Sequence, residues 1–161
     1  GDRRLMTSFP HLDSTGQARM VDVAAKAVTE RSATATGLLR TSGEVVELLR
    51  GRGVPKGDAL AVARIAAIAG TKRTADLIPL CHPIRLDGVA VELEVTDDGV
   101  AIAVTCRATD RTGVEMEALT GVAVAGLALH DMVKAVDPAA VLTDVKLTAK
   151  TGGRSGDWFR E

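Results

Sequence analysis

Aromatic residues are almost missing from this 161-residue chain: Phe9, Trp158 and Phe159 are the whole set, and there is no Tyr. Single-stranded nucleic acid is held largely by stacking on aromatic side chains, so a body free of them from Pro10 to Asp157 argues against that class of binder. Charge of one sign is missing as well. Lys and Arg number 20 against 21 Asp and Glu, and a net charge of −1 creates no field to gather nucleic acid or anionic lipid. Any anion site must therefore be local. Only two cysteines occur, Cys81 and Cys106, far apart and without Cys-x-x-Cys or Cys/His spacing, so neither a disulfide framework nor a zinc site is expected. No apolar run reads as reaching the ~18 to 20 residues of a membrane span, and the first residues are polar and basic rather than signal-like. The expectation is a cytoplasmic protein with no membrane partner. The chain opens on Gly1 instead of Met, which reads as a processed or engineered start.

What is present is aliphatic. Hydrophobic residues make up 46% of the chain, enough for one domain, but the core must be built from Ala, Val, Leu and Ile. Burial between copies is a natural supplement. Residues 1–19 have no clear period and read as an irregular arm, with 20–161 as a single α+β domain.

From Arg31 to Arg40 the alternation of RSATATGLLR predicts a strand. Thr41, Ser42 and Glu44 announce a helix over VVELLR that Gly51 and Gly53 stop. Pro55 to Asp58 form a turn and an N-cap for ALAVARIAAIAG, expected to end at Gly70, and a short polar helix or turn follows in TKRTADL. The two prolines of IPLCHP forbid a continuous helix there and predict a rigid loop. Ile84 to Thr96 alternates, Asp97, Asp98 and Gly99 make a hairpin turn, and VAIAVTCRA returns. An Ala-rich helix is expected from about Glu117 to Val136, apolar nearly all round and so buried on more than one side. VLTDVKLTAK is the last strand. This order predicts a ferredoxin-like split βαβ fold with a four-stranded antiparallel sheet. The same architecture hosts enzymes, sensors and RNA binders, so fold alone does not choose a function.

Several residues could carry chemistry. His82, held between Cys81 and Pro83, is placed for proton transfer or phosphate contact, or is a turn histidine bonded to backbone. His130 reads as a packing histidine and His11 as a solvated one. Glu115 and Glu117 flank Met116 at a strand-to-helix junction. If that stretch is extended both carboxylates address one site; in a helix they diverge by ~200°, and two acids in a first turn also suit the helix dipole. Asp131 and Lys134 are neighbours on a helix, either an ordinary exposed pair or, in an apolar wall, a pair with perturbed proton affinity. Lys56 at a helix start and Lys150 before Gly152 and Gly153 could cradle phosphate oxygens, although surface lysines are ordinary.

Taken in order, MVDVAAKA from Met20, KGDALAVARIA from Lys56, KRTADLIPLCHP from Lys72, TGVEMEALT from Thr112, HDMVKAVD from His130 and KTGGRSGDW from Lys150 resemble the signature segments of the cyclic pyranopterin monophosphate synthase family, known as MoaC. The resemblance spans about 140 residues. It implies a lyase of molybdenum cofactor biosynthesis that converts 3′,8-cyclo-7,8-dihydroguanosine 5′-triphosphate to cyclic pyranopterin monophosphate and releases pyrophosphate, with no cofactor and no metal assigned. It also implies a homohexamer, a trimer of dimers, with sites between subunits. By matching segments, Asp131, Lys56 and Lys134 take the catalytic positions, and Leu80, Cys81, His82, Glu115, Met116, Glu117 and Lys150 take substrate-contacting ones. Arg154 stands where relatives often have Lys. Two readings of other classes remain beside this one: a module that binds a nucleotide without reacting it, and a purely structural oligomer domain.

Overall fold

The computed structural model describes residues 27–161. The arm expected over residues 1–19, His11 and nearly all of the MVDVAAKA segment lie outside the described residues. Nine elements follow: β1 (Thr29–Arg40), α1 (Gly43–Arg50), α2 (Ala59–Lys72), α3 (Thr74–Leu77), β2 (Gly88–Thr96), β3 (Gly99–Asp110), α4 (Glu115–Val133), β4 (Val141–Thr151) and β5 (Trp158–Phe159). The sheet is antiparallel with order β2-β3-β1-β4-β5. The first four strands carry the ferredoxin-like order, and the helices that matter for the core pack on one face.

Local chemistry explains most boundaries. The Ser42 hydroxyl accepts from the Val45 amide and caps α1, and the Asp58 carboxylate accepts from the Ala61 amide and caps α2. Along β1 every second residue, Ala33, Ala35, Gly37 and Leu39, is buried under the helices. Gly99 closes the β2–β3 hairpin at φ 148°, where a Cβ would run into the Leu39 carbonyl.

Five expectations need correction. The sheet has five strands rather than four, because Trp158 and Phe159 pair with Lys150 and Ala149; a two-residue strand has no period to read. β2 starts at Gly88 and not at Ile84: Ile84 and Leu86 do pack on the core, but from a loop held by Pro83, so their alternation reflects packing without a ladder. Helix α2 runs through Gly70 to Lys72. Gly70 is there for proximity, since a Cβ would lie 2.9 Å from Val124 of α4. Helix α4 begins at Glu115 and ends at Val133, two residues early and three short of the expected span; Pro138 disfavours helical backbone at Asp137 and the chain leaves through a turn. That helix also amends the reading of apolar runs, since its 19 residues contain an 18-residue window of mean hydropathy 1.3, enough by length and composition to cross a membrane. Here it is the core helix, packed against α2, β1, β3 and β4.

The core is aliphatic as composition required, with Leu39, Ile102, Val104, Val122, Leu129 and Val133 among its fully buried members. Burial of α4 is not complete, because Leu127 stays 65% exposed on the side away from the sheet.

The α2–α4 contact generates a prediction. Gly70→Ala should lower stability by about 1–3 kcal/mol through overpacking, in spite of the better helix propensity of Ala. Adding Val124→Ala should recover only part of that loss, because it removes the two γ-methyl groups but leaves the Val124 Cβ, which would still lie 2.9 Å away. Urea unfolding of the four proteins measures this, and a Gly70→Ala chain as stable as the parent would show that the helices do not meet there.

Candidate active site

Helix α4 carries chemical groups at both ends. At its C-terminal end the Asp131 carboxylate accepts from two ammonium groups, Lys134 Nζ at 2.9 Å and Lys56 Nζ at 3.0 Å. Lys134 comes from the next turn of the same helix, while Lys56 is delivered by the loop between α1 and α2, where Val54 and Gly57 form a small bridge. The hydrogen bonds and charges of the two lysines hold the Asp131 carboxyl below the usual carboxylate range, Lys134 contributing most. Of the two alternatives for this pair, a single chain shows the exposed one: all three side chains are about half exposed. Lys56 accordingly spends its charge on Asp131 and lies in the loop before α2, where the Asp58 carboxylate already takes the Ala61 amide.

The N-terminal end has the opposite character. Glu115 and Glu117 are both helical, so they diverge as the helical alternative required, and only Glu117 turns inward, with 3% of its surface exposed. Burial raises its pKa from 4.5 to about 7, aided by the charges of Glu115 and Asp110 and opposed by its own backbone amide. Met116 faces outward.

Leu80, Cys81 and His82 sit in the loop that follows α3, all half-buried. Because α2 runs antiparallel to α4 and delivers this loop to the helix start, Cys81 comes within reach of the Glu117 charge. Its thiol pKa is raised, first by burial and then by that charge. The same two causes push Cys106, buried on β3, up to about 12. Neither is poised as a thiolate nucleophile.

Lys150 joins this end through the sheet. Val89, Cys106, Ala33, Lys150 and Trp158 form one row across the strands, so Lys150 leaves the sheet on the helix side, about 10 Å from Cys106 at two strand spacings. Arg31, which the sequence pattern marked only as a strand start, belongs here too: its guanidinium donates to the carbonyls of Asp110 (3.0 Å) and Arg111 (3.3 Å) just before α4. A cation among small residues at a strand end was the available signal.

One chain therefore makes two clusters. Glu117 and Asp131 are about 21 Å apart at 1.5 Å per helical residue. A depression of about 400 Å³ lined by Arg52, Gly57 and Asp58 adjoins the Lys56 loop. Among the described residues no group of three or more His, Cys, Asp or Glu converges as a metal site.

Comparison with known proteins gives this arrangement a family. The model of the MoaC family matches residues 20–153. The chain belongs to the MoaC family. It is 64% identical over 150 residues to the cyclic pyranopterin monophosphate synthase of Streptomyces coelicolor, covering 93% of this chain and 88% of that protein. The cyclic pyranopterin monophosphate synthase of Nocardioides sp. is 63% identical over 153 residues, 93% of this chain and 94% of the relative. Cyclic pyranopterin monophosphate synthase 2 of Mycobacterium tuberculosis H37Rv is 56% identical over 150 residues, 93% and 90% of the two chains. The MoaC match ends at Gly153, so it contains both clusters and stops short of β5.

Glu117 sets a pH signature. Its folded pKa lies above the unfolded 4.5, so the folded state holds the proton more tightly; that contribution is complete below pH 4.5 and is lost as pH rises through about 7. Between pH 5 and 8 the parent should lose about 2–3 kcal/mol more stability than Glu117→Gln, by chemical denaturation at each pH. Parallel profiles would mean that Glu117 is not buried in solution.

Proposed function

We propose that this MoaC chain performs the reaction its relatives are named for. It is a lyase of molybdenum cofactor biosynthesis, a cyclic pyranopterin monophosphate synthase. The substrate implied by the family is (8S)-3′,8-cyclo-7,8-dihydroguanosine 5′-triphosphate, and pyrophosphate is released. The observation that carries the reading is two ammonium groups sharing one carboxylate at the end of α4. A polyanionic substrate can compete for those ammonium groups, and the freed carboxylate can then take up or pass on a proton.

In the mechanism that follows, a sugar hydroxyl attacks the α-phosphorus, a new P–O bond closes the cyclic phosphate, and the bond to pyrophosphate breaks. Lys56, Lys150 and His82 neutralise the phosphates as charge develops on the leaving group. Lys134, tuned by Asp131, moves protons during the ring rearrangement. Glu117, with a pKa of about 7, can meet the guanine-derived edge in either protonation state. Leu80, Cys81, Met116 and Glu115 supply contacts around it.

The site is completed between copies of the chain, in a homohexamer built as a trimer of dimers. Two observations support this: the clusters stand apart on one rigid helix, and Leu127, Ile65 and Val62 leave apolar surface on the helix layer. We place the reaction in the cytoplasm.

Lys56→Ala and Lys134→Ala should each lower pyrophosphate release by about 100-fold or more with the oligomer intact by light scattering. Mixing Lys134→Ala with Glu117→Gln chains after subunit exchange should restore part of the activity, since some sites then take both intact clusters. Full activity in either lysine variant would remove that lysine from the mechanism, and no restoration on mixing would mean that a site does not combine the clusters of two chains.

A further inference from the structure

We propose that Asp137 is a positioning residue for Lys56, and through it for the Asp131 carboxylate. This rests on the functional reading above.

Asp137 lies in the turn after α4, yet its side chain reaches the far end of another segment. Its Oδ2 accepts from the Thr41 hydroxyl at 2.8 Å and from the Ser42 amide at 3.0 Å, and its Oδ1 accepts from the Ala139 amide at 3.0 Å. Thr41 and Ser42 are the link from β1 into α1, and Ser42 is the cap of that helix. The tail of α4 is thus tied to the head of α1.

The chain path turns this tie into a ring. From Ser42 the eight residues of α1 lead to the loop that holds Lys56, and Lys56 returns to Asp131 on α4. Two contacts close the ring, Asp137 with Thr41 and Ser42, and Lys56 with Asp131. They are unequal. The Lys56–Asp131 pair is half exposed on both sides, the kind of ion pair that contributes little to holding a loop. The buried residues of α1, Val45 and Val46, pack it toward β2 and β3 rather than onto α4. The loop behind α1 is seated on the core by Val54 and Ala59, and α2 packs on α4; to this the carboxylate with three donors adds a direct tie from the tail of α4 to the head of α1, which sets how the Lys56 side of the loop meets Asp131 and Lys134. The Thr41 hydroxyl, the two amides and nearby His130 keep the Asp137 carboxyl below its ordinary range, so it is an acceptor throughout the working pH range.

Asp137 touches neither ammonium group in this arrangement, so its effect must pass through Lys56. Asp137→Ala should lower kcat for pyrophosphate release by about tenfold or more while KM changes less than about threefold, because a misplaced catalytic group costs rate more than binding. In a Lys56→Ala background the same change should cost less than about twofold, since there is no longer an ammonium group to position. Thr41→Val should reproduce part of the loss and Thr41→Ser should keep the parental rate. If Asp137→Ala does not fold, the two Thr41 variants carry the comparison in both backgrounds. Losses that multiply in the double variant, or an unchanged kcat in Asp137→Ala and Thr41→Val, would overturn the positioning role alone. A parent chain that releases no pyrophosphate would overturn the activity and the positioning role together.

Discussion

The close approach of α4 to its neighbours is the constraint on which the rest depends. Without aromatic side chains to fill space, the helix can be buried only if backbones come near one another, and small residues make that possible. A Cβ on Gly121 would lie 2.7 Å from Thr71 of α2 and 2.9 Å from Val104 of β3, and one on Gly37 would lie 2.7 Å from Val122. Ala118, Val122, Ala125 and Leu129 are fully buried along the same side. Many short contacts replace a few large ones, which gives a dense interior with little room for α4 to slide or tilt. Its length then becomes a ruler, and the distance between the groups at its two ends is fixed.

Those ends illustrate how environment outweighs the helix dipole. At the N-terminal end the dipole favours a carboxylate by less than about 1 kcal/mol, whereas burial can shift a carboxyl by several pKa units. Desolvation wins, and Glu117 is drawn up to about 7. At the C-terminal end the dipole disfavours Asp131, but two ammonium groups within hydrogen-bond distance reverse that and hold its proton affinity down. A single helix thus presents one carboxyl that can titrate near neutrality and another that stays charged. Separated proton affinities of this kind are what acid and base roles require.

Local signals in the sequence carried the fold far. Ser42 and Asp58 cap the helices they were read to cap, Asp97 and Asp98 turn the hairpin, and Asp131 meets Lys134 because three residues bring neighbours onto one helix face. What escaped was non-local or too short to have a period. Trp158 and Phe159 become a strand only because β4 offers them an edge. Ile84 and Leu86 alternate because a loop packs there, which periodicity cannot tell from a strand. The partner of Lys56 lies 75 residues away, and nothing near Lys56 in the chain points to it. For Glu117 the local rule was an acid in a first turn; that it faces inward depends on where the sheet lies. Around Asp131 the sequence leaves open an exposed pair or an apolar wall, because helical spacing says which residues are neighbours and not what covers them; in the single chain the pair is about half exposed.

The chemistry left to each group follows from these environments. Cys81 stands beside the candidate substrate contacts and would be the natural nucleophile of that loop, but burial and the Glu117 charge keep its sulfur protonated. Ionising Glu117 makes thiolate formation harder still, so the two anions exclude each other. With covalent catalysis by sulfur disfavoured, the proposed attack by a hydroxyl of the substrate itself would rely on cations to spread the developing charge. Cations do this only when they are placed, and an exposed lysine places itself poorly. Under the proposed function, weight therefore falls on the short loop after α1: its ammonium group would matter to the reaction in proportion to how firmly distant contacts hold the loop against the end of α4.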